Sequence, residues 1–326
     1  MIDRRSEAWD TAQTILDTKT VMDYVVDDVA QAKCVSPQEY FDKLTDYLKN
    51  PPSRRGATMP FARTDDKLRF REGEMTLWGG INGHGKSLLL GQVAMGLIDQ
   101  GHKVMVISLE MKPEATLARM CVQCCKAEIP SNEYIEQWMD YVSHSMRVVA
   151  HEGMASPDLI FACIRYAHAT GFNHIVIDNL MHCVSGTDDY NAQKDFVVKL
   201  HELAIMQQSE KGCHIHLVHH IKKMDDELRL PSKFDLHGGV MITNVVDQCV
   251  IIYRNRLKEK KAQDPNKLAE AEEMPDTILS VVKNREGSWE GNIPLWFVPS
   301  CKQFVSTSQK RPIDLLPDVM PSGCSQ

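Results

Sequence analysis

At 326 residues, 43% hydrophobic and 25% charged, the chain has the composition of an ordinary globular protein, long enough for one large domain or two modest ones, and it is not a disordered chain. Its net charge of −7, from 37 basic and 44 acidic residues, excludes a surface coated with positive charge for wrapping duplex DNA, so any nucleic-acid site must be local. The opening MIDRRSEAWDTAQ lacks the apolar run of a secretory signal, and the longest apolar stretch, Leu88 to Ile98, is about half the ~20 residues that span a bilayer. A cytoplasmic protein without membrane segments is expected, and its ten cysteines are expected to be reduced thiols.

Residues 1–35 carry weak helical periodicity and no recognisable chemistry. Over 37–49, Ser36 can cap, Pro37 suits the first helical position and Glu39 completes a capping box, while Tyr40, Phe41, Leu44, Tyr47 and Leu48 fall on one face. This amphipathic helix packs either on its own domain or on a neighbouring subunit. KNPPSRRGATMP is a linker, because its prolines and glycine break any period. The expected organisation is a helical segment and linker over 1–60, a catalytic domain over 61–308 and a mobile tail over 309–326.

From Glu74 onward, strand patterns (MTLWGG, KVMVISLE, MRVVAHE, HIVIDN, HIHLVHH) alternate with helices starting near Lys86, Pro113, Pro157 and Asn191. That alternation predicts an α/β fold, a mainly parallel twisted sheet flanked by helices. After Asp235 the strands DQCVIIYR, TILSVVKNR and IPLWFVP follow without long helices, which suggests an antiparallel C-terminal extension, and KEKKAQDPNKLAEAEEMP between the first two is a charged surface insertion.

The strongest local signal is Gly80-Ile81-Asn82-Gly83-His84-Gly85-Lys86-Ser87, a full match to G-x-x-x-x-G-K-[ST] between a strand and a helix. Backbone amides of Gly80, Asn82, Gly83, His84, Gly85 and the helix start through Leu88 are placed to curl around phosphates, Lys86 to reach the β and γ phosphates, and the Ser87 hydroxyl to ligate Mg²⁺. HIVIDN supplies the metal-orienting carboxylate, Asp178, at the carboxyl end of a buried strand. Glu110 ends another strand at the same edge, as a catalytic base or as a helix-capping acid before Pro113. The loop IKKMDDELRLPSKFDLHGG could present Lys222, Lys223 and Lys233 to the phosphates of a single strand, with Gly238 and Gly239 allowing close approach; a solvated charged loop is the plain alternative. It shows no aromatic interleaving, so binding should be sequence-independent. Cys121, Cys124 and Cys125 lack a second ligand pair and are better helix packing than a metal site. His214, His216, His219 and His220 lack Asp or Cys partners and are better read as buried or phosphate-sensing imidazoles.

Taken in order, GINGHGKS, SLEM (108–111), IVIDN, LVHHIKK, DLHGG (235–239) and KNR (283–285) resemble the motif series of DnaB-type superfamily 4 replicative helicases, with a RecA-like P-loop NTPase core, closest in motif type to phage primase-helicases and Twinkle, over about Glu74 to Phe304. The resemblance implies that Glu110 is the catalytic base, His220 the γ-phosphate sensor, and Lys283 with Arg285 the arginine-finger pair serving a neighbouring subunit. It further implies ATP or another NTP or dNTP with Mg²⁺, a homo-hexamer on single-stranded DNA moving 5′ to 3′, and, for a phage protein, the bacterial host cytoplasm. His237 stands where the family usually has Arg, and Val240-Met241 replace its small residues, which weakens the DNA contacts implied there. With no room before residue 74 for a primase, either the motor stands alone or a primase, polymerase or loader is a separate chain. A RecA- or RadA-type recombinase and a KaiC-like assembly ATPase are the alternatives.

Overall fold

The computed structural model describes residues 36–319 except 152, 185–189, 206–211, 223 and 288; the segment 1–35, Lys223 and the end of the tail lie outside the described residues. Two units divide the chain at Pro51/Pro52. In the first, a 3-10 turn (Pro37–Tyr40) runs into α1 (Phe41–Lys49), with Ser36 and Glu39 forming the expected capping box. Its apolar face is exposed, with Phe41 at 69% and Leu48 at 70%.

The second unit opens with a short antiparallel pair, β1 (Ala57–Thr58) and β2 (Arg69–Phe70), so the stretch read as linker contributes to this unit. Met59, Phe61, Leu68 and Phe70 are buried, and a Cβ on Gly96 would lie 2.7 Å from Pro60. The main sheet comprises β3 (Met75–Gly80), β4 (Val104–Ser108), β5 (Met146–Val148), β6 (His174–Asp178), β7 (His214–His220), β8 (Gln248–Arg254), β9 (Thr277–Asn284), β10 (Gly291–Val298) and β11 (Gln303–Val305), in the spatial order 11-10-9-8-3-7-6-4-5. Strands 8, 3, 7, 6, 4 and 5 are mutually parallel, and 9 to 11 extend the sheet antiparallel.

One strand differs from expectation. DQCVIIYR joins β3 in parallel, with Thr76 opposite Gln248, so the antiparallel part starts a strand later. A parallel crossover needs about a dozen residues but no long helix, and the connection from Ile221 to Asp247 provides them with only the short α7 (Gly239–Val245).

Helices cover both faces, which is why the strands read as nearly continuous apolar runs. On one face α2 (Lys86–Asp99), α3 (Pro113–Cys125) and α4 (Asn132–Ser143) pack over Trp78, Val106, Val176, Val218 and Val250. On the other, α5 (Pro157–Ala169), α6 (Tyr190–Ile205) and α7 cover Leu77, Ile107, Ile175, Ile177 and Ile251. Successive strand residues thus alternate between two cores. The helix α4, absent from the sequence pattern, is capped by Ser131, whose Oγ accepts from Tyr134 N at 3.2 Å; such a cap contributes about 1 kcal/mol. Cys121 and Cys124 are buried among apolar side chains along α3. The charged insertion folds as α8 (Arg256–Ala262) and α9 (Leu268–Glu273), largely exposed.

The polar residues of α2 and α3 stitch the antiparallel strands to the helices. Gln92 donates to Phe304 O (2.8 Å) and accepts from Phe304 N (2.7 Å), and Gln123 donates to Leu88 O and Lys302 O. Gln303 exchanges both amide bonds with Ile313. The tail expected to be mobile from 309 is therefore held as far as Val319: Leu315, Leu316 and Val319 are buried beside α4, each apolar side chain adding roughly 1.5–3 kcal/mol on burial. Prolines flank these residues, so no periodic pattern announces them.

Four histidines sit beneath the β1/β2 pair. His214 Nδ1 lies 2.7 Å from Arg71 O and its Nε2 2.9 Å from Thr76 Oγ1, while Trp78 Nε1 donates to His216 Nδ1 (3.3 Å) and His216 Nε2 lies 3.2 Å from His174 Nδ1. Phe70 covers His216 edge-on at 4.7 Å, and His102 meets His174 at the same ring distance. Burial pushes His214 down to about 4 and holds His174 and His216 well below the ordinary imidazole value, so the folded protein holds neutral rings. Because the folded values lie below the ordinary 6.5, this stabilisation is complete above about pH 6.5 and is lost as the pH falls towards 4. Urea denaturation should therefore show stability declining below pH 6.5. In His214→Gln the decline should be shallower by about 1.4 kcal/mol per pH unit; identical slopes in both proteins would show that His214 does not couple folding to protonation.

Candidate active site at the carboxyl edge of the parallel strands

The loop after β3 is shaped by close approach. A Cβ on Gly80 would lie 2.8 Å from Ile252 O in β8, and Gly85, the residue before α2, is left-handed at φ 86°, where side chains are strained. The loop accordingly feeds directly into a 14-residue helix, whose first amides are free to meet an anion. Lys86 Nζ curls back to donate to Gly80 O (2.9 Å) and Ile81 O (3.1 Å). Burial lowers the pKa of its ammonium, and Asp178 and Glu110 work against that shift.

His84, grouped with the phosphate loop by its motif, turns its side chain away. Its buried Nδ1 accepts from Arg254 N at 3.0 Å and its ring faces Tyr253, with burial and Arg256 pushing it down to about 4. The imidazole ties the loop to the end of β8.

Asp178 ends β6, buried, with a hydrogen bond from Ser87 to its carboxylate and Oδ1 without a partner. Burial pushes the carboxyl up, and the Ser87 bond and Lys86 oppose it. An orphaned carboxylate oxygen beside a hydroxyl is a hard-oxygen donor set that fits Mg²⁺, which takes one or two carboxylates and fills its shell with phosphate and water. No cluster of three or more His, Cys, Asp or Glu suited to a metal occurs among the described residues, and this kind of site does not require one.

Glu110 follows β4, whose Ser108 pairs with Asp178 across the sheet. Its Oε1 lies 3.1 Å from His220 Nε2, accepts from Asn179 Nδ2, and stands 4.0 Å from His182 Nδ1. The His220 hydrogen bond holds the carboxylate below its ordinary range, and burial only partly offsets it. His220 ends β7 and also lies 2.7 Å from Asn179 Nδ2. Of the two possible roles for Glu110, helix capping receives no support, since α3 has no side-chain cap. Asn179 is fully buried and was missed from sequence, although it directly follows Asp178 in HIVIDN.

Asn82, Gly83, Gly85, Lys86, Ser87, Leu88, Glu110 and His220 line one open cleft of about 740 Å³. Arg119, Phe297 and Lys302 also line it and carry no motif. Beside it, Gly83, Leu88, Arg254, Phe297 and Phe304 border a second cavity of about 340 Å³.

Two predicted groups stand elsewhere. Lys283 and Arg285 lie at the opposite edge of the sheet, since Asn284 pairs with Gln248 and Gln248 with Thr76 at the start of β3. Lys283 Nζ caps the C-terminus of α7 through Thr243 O (2.7 Å) and Val246 O (2.6 Å). Arg285 donates to Asp247 Oδ1 (2.7 Å) and Asn244 O (3.2 Å), with its side chain 44% exposed. Lys222 and Lys233 are exposed on the connection between β7 and α7, and Gly238 (φ 68°) and Gly239 (φ 46°) turn it into α7. That connection is tied to the catalytic edge by Lys222 N to Asp235 O (2.8 Å) and His237 N to His220 O (3.2 Å).

Among the solved structures that share this architecture, two illustrate the likeness. One is an ATPase domain that superposes with a TM-score of 0.66 at 17% identity, covering 84% of this chain and 99% of its own. The other, a DnaB-like replicative helicase described with its interactions with primase, gives a TM-score of 0.66 at 17% identity, covering 92% of this chain and 76% of its own. At that identity the likeness is one of fold, a RecA-like P-loop core with antiparallel C-terminal strands. A family model described as an AAA domain matches residues 48–226, a span that holds the phosphate loop, Glu110, Asp178 and His220. With more than half of its length matched, the chain belongs to the AAA domain family.

Proposed function

We propose that the chain is the ATP-dependent motor of a replicative DNA helicase, working as a ring of six subunits on single-stranded DNA. The observation that carries this is the division of the machinery between two edges of one sheet. Lys86, Ser87, Glu110 and His220 line one cleft, with Asp178 hydrogen-bonded to Ser87 at the same edge of the sheet, while Lys283 and Arg285 sit at the far edge, where they cannot reach that cleft but can serve a neighbour's. Head-to-tail contacts of this kind close into rings when the rotation permits. The fold shared with a DnaB-like replicative helicase supports the same assignment. A separate primase, polymerase or loader would act as partner, in the bacterial host cytoplasm if the protein is phage-encoded. No helix among the described residues is long and apolar enough to cross a membrane. The exposed face of α1 is a candidate for docking on a neighbouring subunit.

Phosphate oxygens of ATP, or of another NTP or dNTP, would occupy the amides of Gly83 to Leu88, with the Lys86 ammonium moving from Gly80 O to the β and γ phosphates. Ser87 and Asp178 would hold Mg²⁺, which neutralises charge on the phosphates when bound. Glu110, kept ionised by its bond from His220, is the group able to accept a proton from the attacking water, and Asn179 fixes the direction in which its carboxylate faces. His220, bonded to Glu110 and joined through its backbone to the connection that carries Lys222 and Lys233, would register the γ phosphate. Arg285 would complete the neighbouring site by placing its guanidinium against charge developing on the transferred phosphoryl group.

Lys86→Ala should lose both tight nucleotide binding and hydrolysis, because it removes the charge aimed at the phosphates; normal turnover would sink the assignment of the cleft. In Glu110→Gln the amide keeps the shape but cannot take a proton, so nucleotide should still bind while hydrolysis falls on the order of 10²-fold or more. A defect confined to binding would make Glu110 structural.

Mixed assemblies test the two-edge geometry. Arg285→Ala alone should bind ATP and form rings yet hydrolyse 10³- to 10⁵-fold more slowly, roughly the loss typical of a missing finger. Mixing it with Glu110→Gln should restore part of the ATPase, because an intact Glu110 can then meet an intact Arg285 across an interface. With subunit exchange verified, no gain over the separate samples would mean that Arg285 does not act in trans. Fork unwinding assayed beside strand exchange separates the helicase from a recombinase.

A further inference from the structure

Phe234 lies in the connection between β7 and α7 and is 64% exposed. The turn that displays it is fixed from several sides. Asp235 Oδ2 accepts from Ser232 N (2.7 Å) and Ser232 Oγ (2.9 Å), Arg229 binds the same carboxylate through two bonds of 2.7 and 3.0 Å, and Asp235 O accepts from Lys222 N. The next residue, Leu236, is fully buried beneath β3, where a Cβ on Gly79 would come within 2.5 Å of it. With residues 235 and 236 anchored, the ring of Phe234 stands outward on a pre-ordered backbone, so a partner landing on it meets little ordering cost.

Charge around the ring is equally specific. Lys233 Nζ lies 5.7 Å from its centroid. Of the loop's acids, Asp235 is paired with Arg229 and Glu227 lies 4.0 Å from Arg256, with Tyr253 holding the Glu227 backbone, while Asp225 and Asp226 are exposed. Lys222 and Lys233 are both exposed. An exposed aromatic ring with an ammonium group close to it is complementary to a nucleobase attached to a phosphate.

We propose that Phe234 and Lys233 form one stacking step for single-stranded DNA, a base lying on the Phe234 ring and the adjoining phosphate meeting Lys233. The inference rests on the helicase motor proposed above and adds to it a base contact in a loop otherwise credited with phosphate contacts alone. Stacking of this kind accepts any base, because each has a π face.

The test uses the full chain with two labelled oligonucleotides of equal length, one of thymidine and one in which the bases are replaced by abasic sites. Phe234→Ala should weaken binding to oligo-dT roughly 5- to 100-fold, the range for one stacked base, and leave binding to the abasic strand and the salt slope unchanged. Phe234→Trp should keep the affinity. Lys233→Ala should weaken both strands and reduce the salt slope by about 0.7. Equal loss on both oligonucleotides, or no loss on either, overturns the stacking step while leaving the DNA motor intact. If Phe234→Ala instead changes the oligomeric state by light scattering and the assembled fraction binds oligo-dT normally, the ring is a subunit contact and the inference fails. A wild-type protein that binds neither strand overturns both this step and the motor on which it rests.

Discussion

Asp178 sets the terms for the rest of the molecule. A carboxylate buried at the end of a central strand costs several kcal/mol unless a counter-charge or hydrogen bonds stabilise it, and here one partner is the Ser87 hydroxyl while Oδ1 has none. The folded chain therefore holds, at one defined point, a carboxyl whose ionised form burial disfavours and a cation would stabilise. Lys86 is close enough to oppose the upward shift of the carboxyl, but it is bonded to the loop's own carbonyls. The geometry is poised for a ligand that brings its own positive charge and draws Lys86 forward, as a metal-bound nucleotide would.

Placing that carboxylate requires a rigid sheet with dry faces, and buried polar groups contribute to it. Gln92, Gln123 and Gln303 are fully buried, and each satisfies backbone groups that β11 and the tail would otherwise leave open at the edge of the sheet. The consequence is positional: Phe304, fixed by Gln92, lies 3.1 Å from where a Cβ on Gly85 would be, so the C-terminal strands press against the phosphate loop. The histidines under the β1/β2 pair do comparable work on the other parallel strands, filling polar positions of β6 and β7 with neutral rings bonded to one another and to Thr76 and Trp78.

What the sequence disclosed was what is local in the chain. The phosphate loop, Asp178 and Glu110 each sit at the end of an apolar run, where strand geometry alone decides which way the chain emerges, so position marked them as candidates before any contact was known. The parallel β8 was not legible because its partner is chosen by a crossover whose helix is too short to announce itself. Leu315 and Leu316 were not legible because burial there depends on α4 and on the side chain of Gln303. Asn179 escaped notice for a different reason: its neighbour in the motif explains the motif, and only the bond to Glu110 reveals a second function. Phe234 likewise counts for nothing as a single aromatic in a charged stretch until the anchored turn shows that its ring is held outward.

The two edges of the sheet are joined through one short strand, and this constrains how the proposed ring could work. Burial disfavours the Asp247 carboxylate, but His201, the amide of Met75 and Arg285 outweigh it and hold it below its ordinary value. Asp247 thus seats Arg285 against Met75, the first residue of β3, and the last residue of β3, Gly80, is where the phosphate loop begins. A guanidinium drawn towards a neighbour's phosphate would have to give up part of a charged hydrogen bond worth roughly 1.5–3 kcal/mol. That exchange is favourable only when the phosphoryl group offers more charge than Asp247 does, as it would while charge develops on it. In the proposed ring, an Arg285 finger seated in this way would be held back from a ground-state ligand and would engage a reacting one, so its pairing within the subunit would favour the step that depends on the next subunit being in place.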